Sequence, residues 1–264
     1  MLRAGLSLGR CRHVLISHLH GDHYFGLPGL LTSQSLQGRK QPLTLHGPPG
    51  LRARLAPLLE LDDYRPPYAL HFREVAVDQP TLLLRTRRCE LYAFPLRHRV
   101  PCHGYRIAER ERPRNIDPAA IERYGIDYPL IPGIKNGDDL RLPDGTVIAN
   151  ATLTTAPAPR RQYAYCSDTE YFPELADYVR GVDLLYHEAT FLHDRAEEAR
   201  RKGHATARQA ALVAEAAGAK QLIMGHFSAR YDRLADFEAE ARAVFPASSA
   251  ARDLWQYSVP YAGR

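Results

Sequence analysis

The chain of 264 residues is 45% hydrophobic and 25% charged, which suits one large α/β domain or two small ones and excludes a disordered or fibrous protein. Its apolar runs stay shorter than the roughly 18 to 20 residues that span a bilayer, and MLRAGLSLGR lacks an apolar stretch with a cleavage site, so a cytoplasmic protein without membrane contact is expected. A formal net charge of +5 mildly favours a polyanionic partner, while the scattered Cys11, Cys89, Cys102 and Cys166 form neither a CxxC zinc knot nor a disulfide framework.

In chain order, RHVLIS (12–17) reads as an apolar strand, followed by a helix over 25–37 and the strand PLTLHG (42–47). HGPPG (46–50) lacks the lysine and spacing of a phosphate-binding loop and reads as a strand-to-helix turn opening a helix over 50–61. CELYAFPL (89–96) is the next strand. The stretch 106–161 is rich in Pro, Gly and charge and reads as loops or a reduced arm around a helix at 117–124, not as a separate domain. Strands QYAYCS (162–167), DLLYHEA (183–189) and KQLIMGHF (220–227) then alternate with helices over 172–179, 193–217 with a break near Gly203, and 233–244. The alternation predicts an α/β fold in one domain, 1–264.

SHLHGDH (17–23) places three histidines and an aspartate directly after a strand, on the kind of strand-leaving loop where α/β sites are built. His18 and His20 can project together from an extended turn, and Asp22 and His23 begin the following one. Imidazole nitrogens and a carboxylate oxygen are usual ligands of zinc and similar divalent ions, and two such pairs this close predict two ions. Two ions need further ligands. His98, Asp168 and His226 each follow an apolar strand, and that shared position makes them candidates, although a lone histidine at a strand end is more often a hydrogen-bonded loop residue. His13, His46, His71, His103 and His193 belong to no such constellation and are assigned to packing or solvent.

HLHGDH resembles the signature of the metallo-β-lactamase superfamily, and ISHLHGDHYFGLPGLL is similar to the ribonuclease Z family, endonucleases that trim the 3′ end of precursor tRNA. PLRHRVPCHGYRI, YCSDT, LLYHEATF, HATARQAA and MGHFSARY resemble further blocks in the family's order, covering most of residues 12–245. The resemblance implies a four-layer αββα sandwich with the site along one edge of its two sheets. It implies that His18, His20 and His98 bind one zinc, that Asp22, His23 and His226 bind the other, and that Asp168 bridges them. The family's opening hairpin and DCGEG-like turn have no counterpart here, so the first strands are expected to be missing, leaving an apolar sheet edge or face prone to association. YPLIPGIKNGDD is at best a reduced version of the family's substrate-grasping arm.

Two ions could hold a hydroxide that attacks the phosphodiester, with Asp22 orienting it. The ribose 3′ oxygen needs a proton as it leaves, and His187 of HEAT is the expected donor, with Glu188 orienting or tuning it. Ser228 and Arg230 read either as phosphate contacts or as ordinary surface residues. His204 and Thr206 either cap the helix that follows or line the substrate end of the site. The expected function is a zinc-dependent endoribonuclease acting on precursor tRNA, as a homodimer with two zinc ions per chain. The competing readings are another dinuclear hydrolase, a phosphodiesterase or thioesterase, and a truncated inactive homologue.

Overall fold

The computed structural model describes residues 5, 8–60 and 66–259. Two compact units divide the chain: residues 1–108 with 162–258, and residues 109–161 with 259–264.

The larger unit begins with β1 (His13–Leu15), the one-turn α1 (Gly21–Tyr24), α2 (Gly26–Leu36), β2 (Leu43–Gly47), α3 (Leu51–Leu55) and β3 (Leu70–Glu74). The three strands form a parallel sheet in the order β1-β2-β3. Gly50, at φ +90°, makes the left-handed entry to α3 that HGPPG announces. The helix expected over 50–61 is shorter than that, continuing only as a 3-10 turn at Pro57–Leu59; Leu61 lies outside the described residues. Leu27 and Leu31 of α2 and Leu51 and Leu55 of α3 pack on Leu43 and Leu45 of β2.

Next come β4 (Thr81–Arg85), β5 (Cys89–Leu96) and β6 (Cys102–Glu109). After the smaller unit, the chain returns as β11 (Gln162–Cys166), α7 (Leu175–Tyr178), β12 (Leu184–Glu188), α8 (Ala196–Lys202), α9 (Ala207–Ala217), β13 (Leu222–Gly225), α10 (Leu234–Arg242) and β14 (Ser248–Ala250), the numbers β7–β10 and α4–α6 belonging to that unit. The second sheet has seven strands, ordered β14-β13-β12-β11-β6-β5-β4. β11 to β14 run parallel, and β6 runs antiparallel to β11. Its one face meets α7, α9 and α10 through Phe94, Cys166, Leu185, Leu222 and Met224. Ala207, Ala210, Ala211, Ala214 and Ala217 line the buried side of α9, and their small side chains let the helix lie close to the sheet. The other face meets the three-stranded sheet through Leu15, Val75, Leu91, Ala93 and Tyr105. The layers are therefore helix, sheet, sheet, helix. Among the described residues, no helix is long and apolar enough to cross a membrane.

The smaller unit contains β7 (Asn115–Ile116), α4 (Pro118–Tyr124), α5 (Ile131–Asn136), β8 (Leu140–Arg141), β9 (Val147–Ile148), α6 (Asn150–Leu153) and β10 (Thr154–Thr155). Asp117 caps α4 by accepting the Ala119 N–H at 3.0 Å. Ala120, Ile126, Ile134, Leu140 and Leu153 form its core, so the segment that composition marks as loop-rich carries short elements around apolar side chains of its own.

Candidate metal centre

Parallel pairing puts the C-terminal ends of β11, β12 and β13 at one edge of the large sheet, and the antiparallel β6 starts at that same edge. Asp168 stands two residues beyond β11, Glu188 is the last residue of β12, and His226 directly follows β13. His98 lies in the loop joining β5 to β6. The loop after β1 is tied to this edge where the Tyr105 hydroxyl donates to the Ile16 carbonyl at 2.8 Å and the His103 N–H to the Ser17 carbonyl at 3.0 Å. That tie brings His18 and His20 to the same place, with Asp22 and His23 in the single turn of α1.

All seven candidate ligands converge there. Asp168 Oδ2 is 3.6 Å from His18 Nε2, 3.4 Å from His23 Nε2 and 4.0 Å from His98 Nε2, while its Oδ1 is 3.5 Å from His226 Nε2. His98 Nε2 lies 3.2 Å from His20 Nδ1, and Asp22 Oδ2 lies 3.3 Å from His23 Nε2. His18, His20, His98 and Asp168 form one group able to hold an ion, and Asp22, His23 and His226 form a second.

The outward nitrogens of these rings fix which nitrogen faces inward. His98 Nδ1–H donates to the Gly203 carbonyl at 2.7 Å, His18 Nδ1 sits 3.0 Å from the Ser17 hydroxyl, and His226 Nδ1 sits 2.8 Å from the Thr190 hydroxyl. Their Nε2 atoms then present lone pairs to the centre. His18 Nε2 and His23 Nε2 are buried with no hydrogen-bond partner, a costly state that a cation would relieve. Burial pulls the His18 pKa down to about 3 and lowers that of His98, so both rings are held neutral. Burial alone would raise Asp168, but the imidazoles of His23, His226 and His18 outweigh it and keep the carboxylate well below its usual range. A neutral His18 and His98 beside an ionised Asp168 are protonation states that divalent metals require; at His23 burial is outweighed by the hydrogen bond and charge of Asp168, so its pKa is raised and an ion there would have to displace a proton. The donor set fits.

Glu188 and His187 occupy successive strand positions and so face opposite ways. His187 pairs in register with Cys166 and Met224, both on the helix-facing side, and it is wholly buried with Nδ1 donating to the Glu188 carbonyl at 2.6 Å. The expectation that His187 donates a proton at the site is therefore corrected: strand alternation turns its ring away from the ligands. Glu188 points to the site. Its Oε1 accepts from His204 Nδ1 at 2.8 Å and the Thr169 N–H at 3.1 Å, and its Oε2 from the Thr190 N–H at 2.9 Å and the Thr190 hydroxyl at 2.8 Å. Although burial lowers the His204 pKa, the hydrogen bond and charge of Glu188 outweigh it and leave it raised. The His204 ring stacks on His226 with centroids 5.4 Å apart, and its ligand atom falls in a third close group with Asp168 and His226.

Thr206 caps α9 in a reciprocal box with Gln209, and His204 turns to Glu188. Arg230 gives both terminal nitrogens to Glu198 at 2.9 and 3.1 Å and Nε–H to Ser228 at 3.2 Å, so both expected phosphate contacts are engaged within the protein. Sequence reasoning missed Thr190, whose hydroxyl links Glu188 to His226. Its signal was the spacing in HEAT, since residues two apart along an extended chain share a side. His226 itself sits at φ +62°, a left-handed conformation unfavourable for a side-chain residue, and the Thr190 bond holds it there.

The family described as "Beta-lactamase superfamily domain" matches residues 2–115 and 140–227. Ribonuclease Z of Porphyromonas gingivalis is 43% identical over 248 residues, covering 94% of this chain and 82% of that protein. Ribonuclease BN of Cronobacter sakazakii is 39% identical over 262 residues, covering 98% and 85%. The crystal structure of the short form of human tRNase Z matches with a TM-score of 0.68 at 25% identity, covering 98% of this chain and 83% of that one.

Proposed function

Because the chain belongs to the ribonuclease Z family of the β-lactamase superfamily, we propose that it is a zinc-dependent endoribonuclease that removes the 3′ trailer from precursor tRNA. The observation that carries this reading is the convergence of seven ligand-type side chains beside the buried Glu188 and its hydrogen-bonded, half-buried His204.

In this proposal His18, His20 and His98 hold one zinc, Asp22, His23 and His226 hold the other, and Asp168 serves both. Two bound zinc ions supply Lewis acidity, which acidifies water and offsets charge on the phosphodiester. The remaining work falls to the chain's own residues. Asp22, whose side chain is 72% exposed, is the carboxylate able to accept a hydrogen bond from an attacking water. Glu188 fixes His204 with Nδ1–H towards the carboxylate, which frees Nε2 to give its proton to the departing ribose 3′ oxygen. The Glu188 charge also favours the protonated ring that this transfer needs.

Zinc-loaded protein is offered a precursor tRNA with its trailer, a small aryl phosphodiester and a thioester. Cleavage of the tRNA at the trailer junction is expected, and Asp168→Ala should lose metal and activity together. Turnover of only the small substrates would replace this reading with another dinuclear hydrolase. No turnover at two zinc ions per chain would mean an inactive homologue. A cytoplasmic location and a homodimer are part of the proposal; the exposed Leu36 and Leu58, which line one pocket, support the second, and sedimentation reads its mass.

A further inference from the structure

A groove lies against the His98 edge of the metal centre, with Arg97 and Arg99 on one wall and Arg200 and Arg201 on the other. Its two walls meet where His98 donates Nδ1–H to the Gly203 carbonyl at 2.7 Å. Gly203 ends α8 at φ +73°, and a Cβ there would stand 2.9 Å from His98 Nδ1, so the floor stays bare of side chains. The groove and the ligand share one hydrogen bond.

The four guanidinium groups are not equally committed. Arg97 lies over the Phe172 ring at 4.3 Å and reaches Glu174 at 3.4 Å, and Arg200 pairs with Glu197 at 3.0 Å. Arg99 donates only to the Arg201 main-chain carbonyl, at 2.9 Å, and among the described residues neither Arg99 nor Arg201 has a carboxylate within ion-pair distance. Glu170 is the acidic residue lining the groove, and its N–H is tied to the Arg97 carbonyl at 2.8 Å. Two guanidinium groups without a carboxylate partner thus line one groove next to a centre where, in the ribonuclease reading, a phosphodiester is cut. Guanidinium forks match phosphate oxygens in charge and geometry.

We infer that this groove binds backbone phosphates of the RNA strand flanking the scissile bond, with Arg99 and Arg201 as positioning residues. The inference rests on the ribonuclease reading and adds a site that sets where the strand lies. It does not extend to the reacting atoms, so its signature is in binding.

The test compares Arg99→Ala/Arg201→Ala with Arg180→Ala/Arg233→Ala, a control that removes two exposed arginines paired with Asp177 and Asp236 elsewhere on the unit. Binding of zinc-loaded protein to a trailer-bearing RNA with a non-hydrolysable scissile linkage is measured from low to high salt. Losing two phosphate contacts should make the slope of log affinity against log salt shallower by about 1.4 to 1.8 in the groove variant alone. For cleavable precursor tRNA, KM should rise at least tenfold, with a smaller change in kcat. Selectivity for RNA over a small aryl phosphodiester should fall accordingly. Arg99→Lys/Arg201→Lys should restore most of the salt slope but less of the KM. Equal slopes in the groove and control variants overturn the inference, as does a loss confined to kcat. Failure of the wild type to cut precursor tRNA is a separate result that overturns the ribonuclease reading, and the binding slopes still report on the groove.

Discussion

Glu188→Gln separates the carboxylate's charge from its shape. The side chain is wholly buried and accepts four hydrogen bonds, two at each oxygen. With the new amide nitrogen at the Oε1 position, it meets the Thr169 N–H and His204; in the flipped orientation it meets the Thr190 N–H. Either way one buried donor faces another, at a cost of about 1 to 3 kcal/mol. For a chain of this size that is a melting temperature lower by roughly 2 to 12 °C. The rate consequence is larger. Without the anion, His204 loses both its orientation and the charge that favours its protonated form, so cleavage of precursor tRNA should fall by about 10² to 10⁴. His204→Ala should cost as much in rate but less in stability, because it leaves the Thr169 and Thr190 bonds to Glu188 in place. The double variant should be no slower than His204→Ala alone, since the two act as one unit. Single-turnover cleavage with zinc stoichiometry measured in parallel is the assay. Multiplicative losses in the double variant, or loss of zinc from either single variant, would refute the assignment.

Three further outcomes are expected. His187→Leu removes a ring that points into the helix-facing core and whose Nε2 has no partner, so its rate should stay within about tenfold of wild type, far above that of His204→Ala; equal losses would return the donor role to His187. Gly203→Ala adds a Cβ 2.9 Å from His98 Nδ1 at a left-handed φ, which should destabilise by about 1 to 2 kcal/mol and weaken binding of one zinc, read by chelator competition. His46, 3% exposed and 3.1 Å from His13, has its pKa lowered to about 4, first by burial and then by the charges of His13 and Arg73. Its folded value lies below the unfolded one, so the native state binds fewer protons and stability is lost as pH falls from 6.5 towards 4, by up to about 3 kcal/mol. His46→Gln should flatten that part of the urea-unfolding profile.

The legible parts of the fold were those whose apolar residues are uninterrupted. β12 and β13 are buried on both faces and β5 and β11 are buried or half-buried throughout, so all four read as continuous runs, and the helix break near Gly203 showed in the glycine. β3 and β4 were illegible because they are largely exposed, with LHFRE and TLLLR carrying charge or facing solvent. β6 was hidden by Gly104, where a side chain would collide with the Phe94 ring, and β14 is three small residues long. The candidate ligands stand where a related signal could mark them: His18, His20, His98, Asp168 and His226 follow strands, and Asp22 and His23 lie in the single turn of α1 just after them, and strand ends can be counted in sequence.

His204 was harder to read. It lies between two helices, it reaches the centre through Glu188, Thr190 and its stack on His226, and nothing in HATARQAA distinguishes a ring that caps from one that turns to a carboxylate. His187 and Glu188 stand together in HEAT, but period-two alternation along β12 requires them to face opposite ways. What sequence could not supply was which face belonged to the site. That depends on the register of Cys166, His187 and Met224 across three strands, a relation set by tertiary pairing over residues far apart in the chain. Once that register is fixed, Glu188 and Thr190 must both face the candidate metal centre, where His204 Nδ1 lies 2.8 Å from Glu188 and 3.2 Å from Thr190.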